Sequence, residues 1–255
     1  MTVEVLEIVP NDVSGGTNTS HTILVSGLSS LLSAIPAAAP AAAYEAAVIT
    51  ENALGKDTAG ARRRTFRHLR ELYLLRPDSL LFRSLRELWD VDEQARPMLA
   101  GMCALARDAV FRASSSAVIR SAPGDQLAAA DLAAAVGEHF PNAYKAATLA
   151  KIGRNTFSSW QQTGHLSRSV RLVKSRTRVP ALPASLTYAL LLGHLQGVRG
   201  AALFHTYWAS VFDDPPQHLV EIAVTASRHS MLELRQAGGV IDVGFRELLR
   251  PVQPS

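Results

Sequence analysis

The stretch from residue 148 to residue 179 most constrains the fold, because a helical pattern within it gives way to an alternating one. Its first half repeats apolar and threonine side chains every three or four residues, a spacing that places them on one side of a helix. These side chains are Leu149, Ile152, Thr156, Trp160 and Thr163. We predict a helix from Thr148 to Thr163, ended by Gly164, since glycine closes a helix at low cost.

The opposite side of this helix is polar and contains no carboxylate. Its members are Lys151, Arg154, Asn155, Ser158, Ser159 and Gln162. A break of the helix at Gly153 is an alternative, and it would confine the contacting residues to the segment from Arg154 to Gln162. Trp160 and Phe157 follow the packing side, so we interpret both as core residues rather than as base-stacking residues.

After Gly164 the pattern alternates, which predicts a short basic hairpin with a turn near Lys174 and Ser175. The side chains expected to face inward are Val170, Leu172, Thr177 and Val179. Those expected to face solvent are Arg171, Arg176 and Arg178. A polar helix face without carboxylates beside a cationic hairpin is what a winged helix-turn-helix presents to a phosphate backbone.

Charge is distributed unevenly along the chain. No Asp or Glu occurs from His139 to Phe212, a segment with nine lysines and arginines; since the whole chain carries +4, the remainder carries −5. An acid-free segment of this length favours an anionic partner, and nucleic acid is the partner we expect. A basic face that only maintains solubility is the alternative.

We predict a mainly α fold, in which a helical bundle domain is joined to a winged helix-turn-helix unit with a small β-hairpin. The expected divisions are an N-terminal arm (1–20), a helical domain (21–124), the winged-helix unit (125–182) and a C-terminal helical region with a short strand (183–255). The boundary between residues 124 and 125 is inferred from the serines, proline and glycine that cluster from Ser114 to Asp125. Leu127 to Phe140 is the expected first helix of the winged-helix unit.

These patterns predict a non-enzymatic protein that binds double-stranded DNA. The helix residues expected to approach the major groove are Lys151, Arg154, Asn155, Ser158 and Gln162. The residues expected to hold phosphates are Arg168, Arg171, Lys174, Arg176 and Arg178. Affinity should fall by about 0.9 log units per phosphate contact for each log unit of salt. Changing Arg171, Arg176 and Arg178 to Glu is expected to abolish binding without unfolding the protein.

A second basic segment runs from Thr58 to Leu75. Thr58 can cap a helix there, and the arginines on or beside its polar side are Arg62, Arg63, Arg67 and Arg70. The segment is either a second phosphate-contacting helix or a solvated face whose arginines pair with carboxylates nearby. Arg62, Arg63 and Arg67 are therefore also candidate nucleic-acid contacts.

The order of these features resembles the BrxA family of bacteriophage-exclusion (BREX) defence systems. The likeness covers roughly Tyr44 to Leu166 and is carried by Lys56-Asp57-Thr58-Ala59 through Arg62-Arg63-Arg64 to Leu69-Arg70, and by Thr148-Leu149-Ala150-Lys151 through Trp160 to Gly164-His165-Leu166. It implies a DNA-binding protein of two mainly helical parts with helix-turn-helix character. It also implies a role in phage defence beside other defence-system proteins.

Other functions lack a motif in this sequence. The eight histidines are dispersed, no glycine loop of the Walker type occurs, and there is no Gly-x-Ser-x-Gly elbow, so we expect no enzyme, no metal and no cofactor. No apolar run reaches the ~20 residues of a membrane helix. The single cysteine, Cys103, lies in an apolar helical pattern and suits a buried thiol in a cytoplasmic protein. The rival functions are an adaptor that docks an acidic protein and, with less support, RNA binding.

Overall fold

The structure is a computed structural model that describes residues 7–167 and 172–251. Within these residues the chain is mainly helical, with two small antiparallel sheets of two strands each, which confirms the predicted mainly α class. None of the described helices is both long enough and apolar enough to cross a bilayer.

Six α-helices of the described part precede the first strand. They are α1 (Val25–Ala34), α2 (Ala41–Ile49), α3 (Ala59–Tyr73), α4 (Leu80–Trp89), α5 (Arg96–Arg107) and α6 (Ala109–Ile119). The Thr58 hydroxyl caps α3 as predicted, by accepting a hydrogen bond from the N–H of Ala61. Ser114 and Ser115, expected to begin a break, instead lie inside α6, where their hydroxyls donate to carbonyls three residues earlier.

The middle of the chain contains two helices and two short strands. They are β1 (Gln126–Ala128), α7 (Ala129–His139), α8 (Ala146–Gln162) and β2 (Val173–Ser175). Both helices begin and end within two residues of the predicted bounds. β1 and β2 are antiparallel, with Leu127 opposite Lys174, and a bridge between Leu166 and Arg176 lies beyond the end of β2.

The last part of the chain begins with α9 (Pro183–Leu195) and continues through two 3₁₀ turns (Gly200–His205 and Ala209–Val211) to α10 (Pro216–Arg228), β3 (Glu233–Ala237) and β4 (Val240–Gly244). The predicted helical region therefore contains 3₁₀ turns as well as α-helices. The helix α10 ends at Arg228, with His229 as its C-cap, and β3 then forms an antiparallel hairpin with β4. Gly238 and Gly239, both at positive φ, make its tight turn.

One hydrophobic core extends through most of the molecule. Its buried members run from Ile8 near the start of the described chain to Leu248 near its end. A smaller cluster joins α6, α7 and α8 through Val110, Val136 and Ile152. The three helices therefore share packing of their own while Trp160 of α8 enters the main core.

Residues 7–24, here called the N-terminal strap, are held against the helices rather than forming the loose arm expected. Asn18 is fully buried; its backbone N–H and its side-chain amide both donate to Oδ2 of Asp108, at 2.7 and 3.0 Å. The Thr17 hydroxyl donates to Glu71 of α3 at 2.9 Å. The strap therefore connects α3 with the start of α6.

Candidate nucleic-acid interface

The helices α7 and α8 pack closely because Gly153 lies at their contact. A Cβ atom at this position would lie 2.3 Å from the carbonyl oxygen of Ala129 and 2.8 Å from the Cβ of Ala133. The helix continues through Gly153, so the alternative break there is wrong. The turn between the helices passes through Asn142, which has a φ of 64°.

An exposed polar stripe runs along the N-terminal half of α8. Lys151 and Arg154 are exposed, and Ser158, one turn further on, is half-buried. Lys145, at the cap position before the helix, is exposed as well. The spacing of three and four residues places Lys151, Arg154 and Ser158 on one line of the helix surface. Three of the six residues predicted on the polar side of this helix thus lie together on its surface.

Asn155 and Gln162 lie beside this stripe but face the N-terminal strap, which corrects their assignment as groove contacts. The Asn155 amide donates to the carbonyl of Asn18 at 3.0 Å. The Gln162 carbonyl accepts from the N–H of Val25 at 2.9 Å, at the start of α1. Both side chains therefore satisfy backbone groups of the protein itself.

The hairpin after α8 is in a different register from the one predicted. The turn expected at Lys174 and Ser175 is instead strand β2. The side chain of Leu172, expected inside, is 90% exposed, whereas Lys174 is buried. Because neighbouring strand residues face opposite sides, an error in the position of a turn reverses which side chains are buried. Val179 is buried as expected.

Arg176 is a buried residue, not the solvent-facing phosphate contact predicted. Its Nε donates to the carbonyl of Val118 at 3.1 Å, and its Nη2 donates to Oδ1 of Asp213 at 2.8 Å. Its Nη1 donates to the carbonyl of Thr177. A buried guanidinium requires such partners, since an unpaired one is costly to desolvate. The charge of Arg176 is therefore used inside the protein.

Two neighbouring cations are also engaged. The Lys174 ammonium lies 4.4 Å from the centre of the Phe157 ring and donates to Gln161 of α8. Burial lowers its pKa. Arg178 donates to Oδ1 of Asp214 at 2.7 Å, although its side chain stays 59% exposed. Lys174 is therefore corrected to a packing residue, while Arg178 remains accessible. Arg168 and Arg171 lie outside the described residues.

The second basic segment forms α3, and its arginines divide into two groups. Arg63, Arg64, Arg67 and Arg70 are exposed. Arg62 instead donates from Nε to the carbonyl of Lys56 at 3.2 Å and from Nη1 to that of Ile49 at 3.4 Å. Arg62 therefore holds the end of α2 against α3, which corrects its assignment as a nucleic-acid contact.

His165 joins the end of α8 to the 3₁₀ turns of the last part of the chain. Its Nδ1 is 2.8 Å from the Thr163 hydroxyl, and its Nε2 is 2.9 Å from the carbonyl of Val211. The side chain is fully buried, and burial lowers its pKa from 6.5 to about 4. The imidazole is therefore neutral near pH 7, and its two contacts fix the position of the chain after α8.

Several residues that shape this surface carry no signal in the sequence. Asn18, Asp213 and Asp214 are separated from α8 or the hairpin by long stretches of chain, so only the folded structure shows their contacts. Gly153 is the exception. The small residues of α7 that it packs against, Ala129 and Ala133, were the signal in the sequence for close packing of the two helices. No group of three potential metal ligands occurs within residues 7–167 and 172–251. No protein-family model matches the sequence, and a search of the curated proteins found no match.

Proposed function

We propose that residues 109–179 form a winged helix-turn-helix that binds double-stranded DNA. The order of elements supports the proposal: helix α6, strand β1, helices α7 and α8, and then a hairpin whose second strand returns to β1. In winged-helix proteins the third helix of such a unit enters the major groove. The proposed unit begins with α6 and not at residue 125, because α6 serves as its first helix.

The observation that carries the proposal is the exposed stripe of Lys151 and Arg154 on this third helix. Both cations lie in the segment from His139 to Phe212, which contains no carboxylate. Asp213 and Asp214, just beyond it, are engaged by Arg176 and Arg178. Within residues 7–167 and 172–251 neither cation forms an ion pair, so the stripe can attract phosphates or reach the acceptor groups of guanine.

The proposed contacts form a smaller set than the sequence predicted. Lys151, Arg154 and Ser158 approach the base edges, and Lys145 lies beside the N-terminus of α8, where the helix dipole favours a phosphate. Arg178 contacts the backbone through the exposed part of its side chain. Arg168 and Arg171 stay in the proposed set on the strength of the sequence alone.

The test reverses the two exposed charges of α8 in one variant, Lys151→Glu with Arg154→Glu. Affinity for a 24-base-pair duplex should fall about 100-fold or more, because each lost contact to a base contributes roughly 1–3 kcal/mol. Fluorescence anisotropy of a labelled duplex measures the change. Both positions are exposed, so the melting temperature should stay close to that of the wild type.

The matched control is Arg228→Glu with Arg235→Glu, which makes the same change in net charge on exposed residues of α10 and β3. It should bind DNA within a few-fold of the wild type. An equal loss in both variants would mean that net charge, and not the stripe, controls binding. Normal binding by the α8 variant would remove α8 from the interface.

An acidic protein is the alternative partner, since the same exposed cations would attract it. Parallel salt titrations with duplex DNA, single-stranded DNA and RNA separate the alternatives, because the proposal requires the duplex to bind most tightly. The resemblance to the BrxA family implies that this protein binds duplex DNA as part of a BREX-type defence system, in which it acts beside other defence proteins. Plaque assays that compare the wild type with the α8 variant in such a system would test that role.

A further inference from the structure

The exposed side of α3 is a second strongly basic surface. Arg63, Arg64, Arg67 and Arg70 lie on it within eight residues. Glu71 is the only carboxylate in the α3 sequence, so the four arginines and this glutamate leave a net charge of +3. We call these four residues the arginine side of α3.

Glu71 neutralises little of this surface because it already has other partners. It accepts a hydrogen bond from the Thr17 hydroxyl at 2.9 Å and lies 3.5 Å from Nδ1 of His68. Its contact with Arg67 is long, 3.8 Å, and both side chains are about half exposed. An exposed pair of this kind is weak. The guanidinium groups therefore remain available to an external anion.

The arginine side of α3 lies beside the proposed DNA-binding stripe, with the N-terminal strap between them. Thr17 of the strap contacts α3 through Glu71, and the next residue, Asn18, accepts from Asn155 and Ser159 of α8 at 3.0 and 2.7 Å. Two consecutive residues thus contact both helices. The basic sides of α3 and α8 consequently border a shared surface, on the order of two helix widths or 20 Å across.

We infer that the arginine side of α3 contacts the phosphate backbone of the same duplex that α8 engages. The inference rests on the proposed function, because it adds a second contact region to that complex. A duplex presents a phosphate charge about every 1.7 Å along its axis, so 20 Å is well within one turn. Arginine suits such a contact because its planar guanidinium binds two phosphate oxygens at once.

The first test measures how affinity depends on salt. The variant Arg63→Gln, Arg64→Gln, Arg67→Gln removes three charges and keeps a similar helix preference. If all three arginines contact phosphates, the slope of log affinity against log salt becomes shallower by about 2.7. The control is Arg228→Gln, Arg235→Gln, Arg246→Gln, which removes three exposed charges elsewhere. Its slope should equal that of the wild type.

The second test detects contact directly, using the fact that the only native thiol is unreactive. Cys103 is fully buried, and burial raises the pKa of its thiol to about 12. A reagent that carries a maleimide and an aryl azide therefore labels only a cysteine introduced by Arg67→Cys or, as the control, by Arg228→Cys. Illumination should cross-link the duplex to the probe at position 67 and at most weakly to the probe at position 228.

The outcomes separate this inference from the proposed function. An unchanged salt slope and absent cross-linking at position 67, in a protein whose α8 variant has lost binding, would overturn the inference and leave the α8 proposal standing. A wild-type protein that binds no duplex at low salt would overturn both. Equal changes in the α3 and control variants would also overturn the inference, since they would reflect net charge alone.

Discussion

Arg176 stabilises the fold through a charge that the sequence pattern assigned to the surface. Its substitution by Met would leave Asp213 without its cationic partner in a site where that carboxylate is mostly shielded. We expect Arg176→Met to lower the free energy of unfolding by about 3 kcal/mol, as removal of one partner of a buried pair does. Urea denaturation measures this change.

The neighbouring Arg178 provides the comparison for this prediction. Its side chain is largely exposed, so Arg178→Gln should cost about 1 kcal/mol or less. A loss of stability that is similar for both variants would show that burial does not distinguish the two arginines. The triple change of Arg171, Arg176 and Arg178 to Glu is for the same reason expected to unfold the protein, so it cannot serve as a test of DNA contact.

His165 makes stability depend on pH. The unfolded chain binds a proton with the ordinary pKa of 6.5, whereas the folded protein binds it only at about 4. Because the unfolded state holds the extra proton between these values, stability is fully present above pH 6.5 and is lost as the pH falls toward 4. At pH 5 the loss from this group is about 2 kcal/mol.

Urea denaturation of the wild type and of His165→Gln at pH 7.5 and pH 5 isolates this contribution. The variant is less stable at pH 7.5 because it loses a buried contact, but its further loss on acidification should be about 2 kcal/mol smaller than that of the wild type. Equal losses on acidification would mean that the imidazole is not the group responsible.

At the residue scale, the sequence predicted burial better than it predicted polar partners. Trp160, Phe157 and Val179 are buried as their spacing indicated. The partners of Asn155 and Gln162 could not be predicted, because they are backbone groups more than 130 positions earlier in the chain. Periodicity shows which side of a helix is polar, but not which part of the chain covers that side.

At the scale of elements, the close packing of α7 on α8 depends on Gly153. A methyl group there meets the carbonyl of Ala129 and the side chain of Ala133, so the helices must move apart. We expect Gly153→Ala to cost about 1–3 kcal/mol, the usual range for overpacking, and to weaken DNA binding by tilting α8. Thermal denaturation and anisotropy measure the two effects.

Gly60→Ala is the matched control within an exposed helix. The nearest atom to the added methyl group is a guanidinium nitrogen at 3.8 Å, and alanine favours helix, so stability should stay equal or rise by up to about 1 kcal/mol. If Gly153→Ala were as well tolerated as Gly60→Ala, the close approach of the two helices would not be needed for the fold.

The helices α7 and α8 were predicted closely, and the short strand β2 was not. α7 and α8 lie within two residues of their expected bounds because each repeats its apolar side over several turns. β2 has three residues and pairs with β1, which lies almost fifty positions earlier, so no local pattern sets its register. The hairpin was consequently expected with its turn in the wrong place.

For the whole molecule, the charge imbalance along the chain is only partly an imbalance on the surface. The acid-free segment contributes exposed cations at Lys151 and Arg154, but Arg176 and Arg178 meet Asp213 and Asp214, which follow the end of that segment directly. A count along the sequence therefore overstated the basic surface of the hairpin. The same count could not show that the N-terminal strap contacts both α3 and α8, because this arrangement arises only when the chain folds.

The N-terminal strap also sets an order of events during protein synthesis. Asn18 is translated 90 residues before its partner Asp108 and 141 residues before its partner Ser159. Asn18 therefore cannot complete these two contacts until Ser159 has been translated. Contacts of such long sequence separation slow folding, so the strap and α8 reach their final arrangement at a late stage of folding.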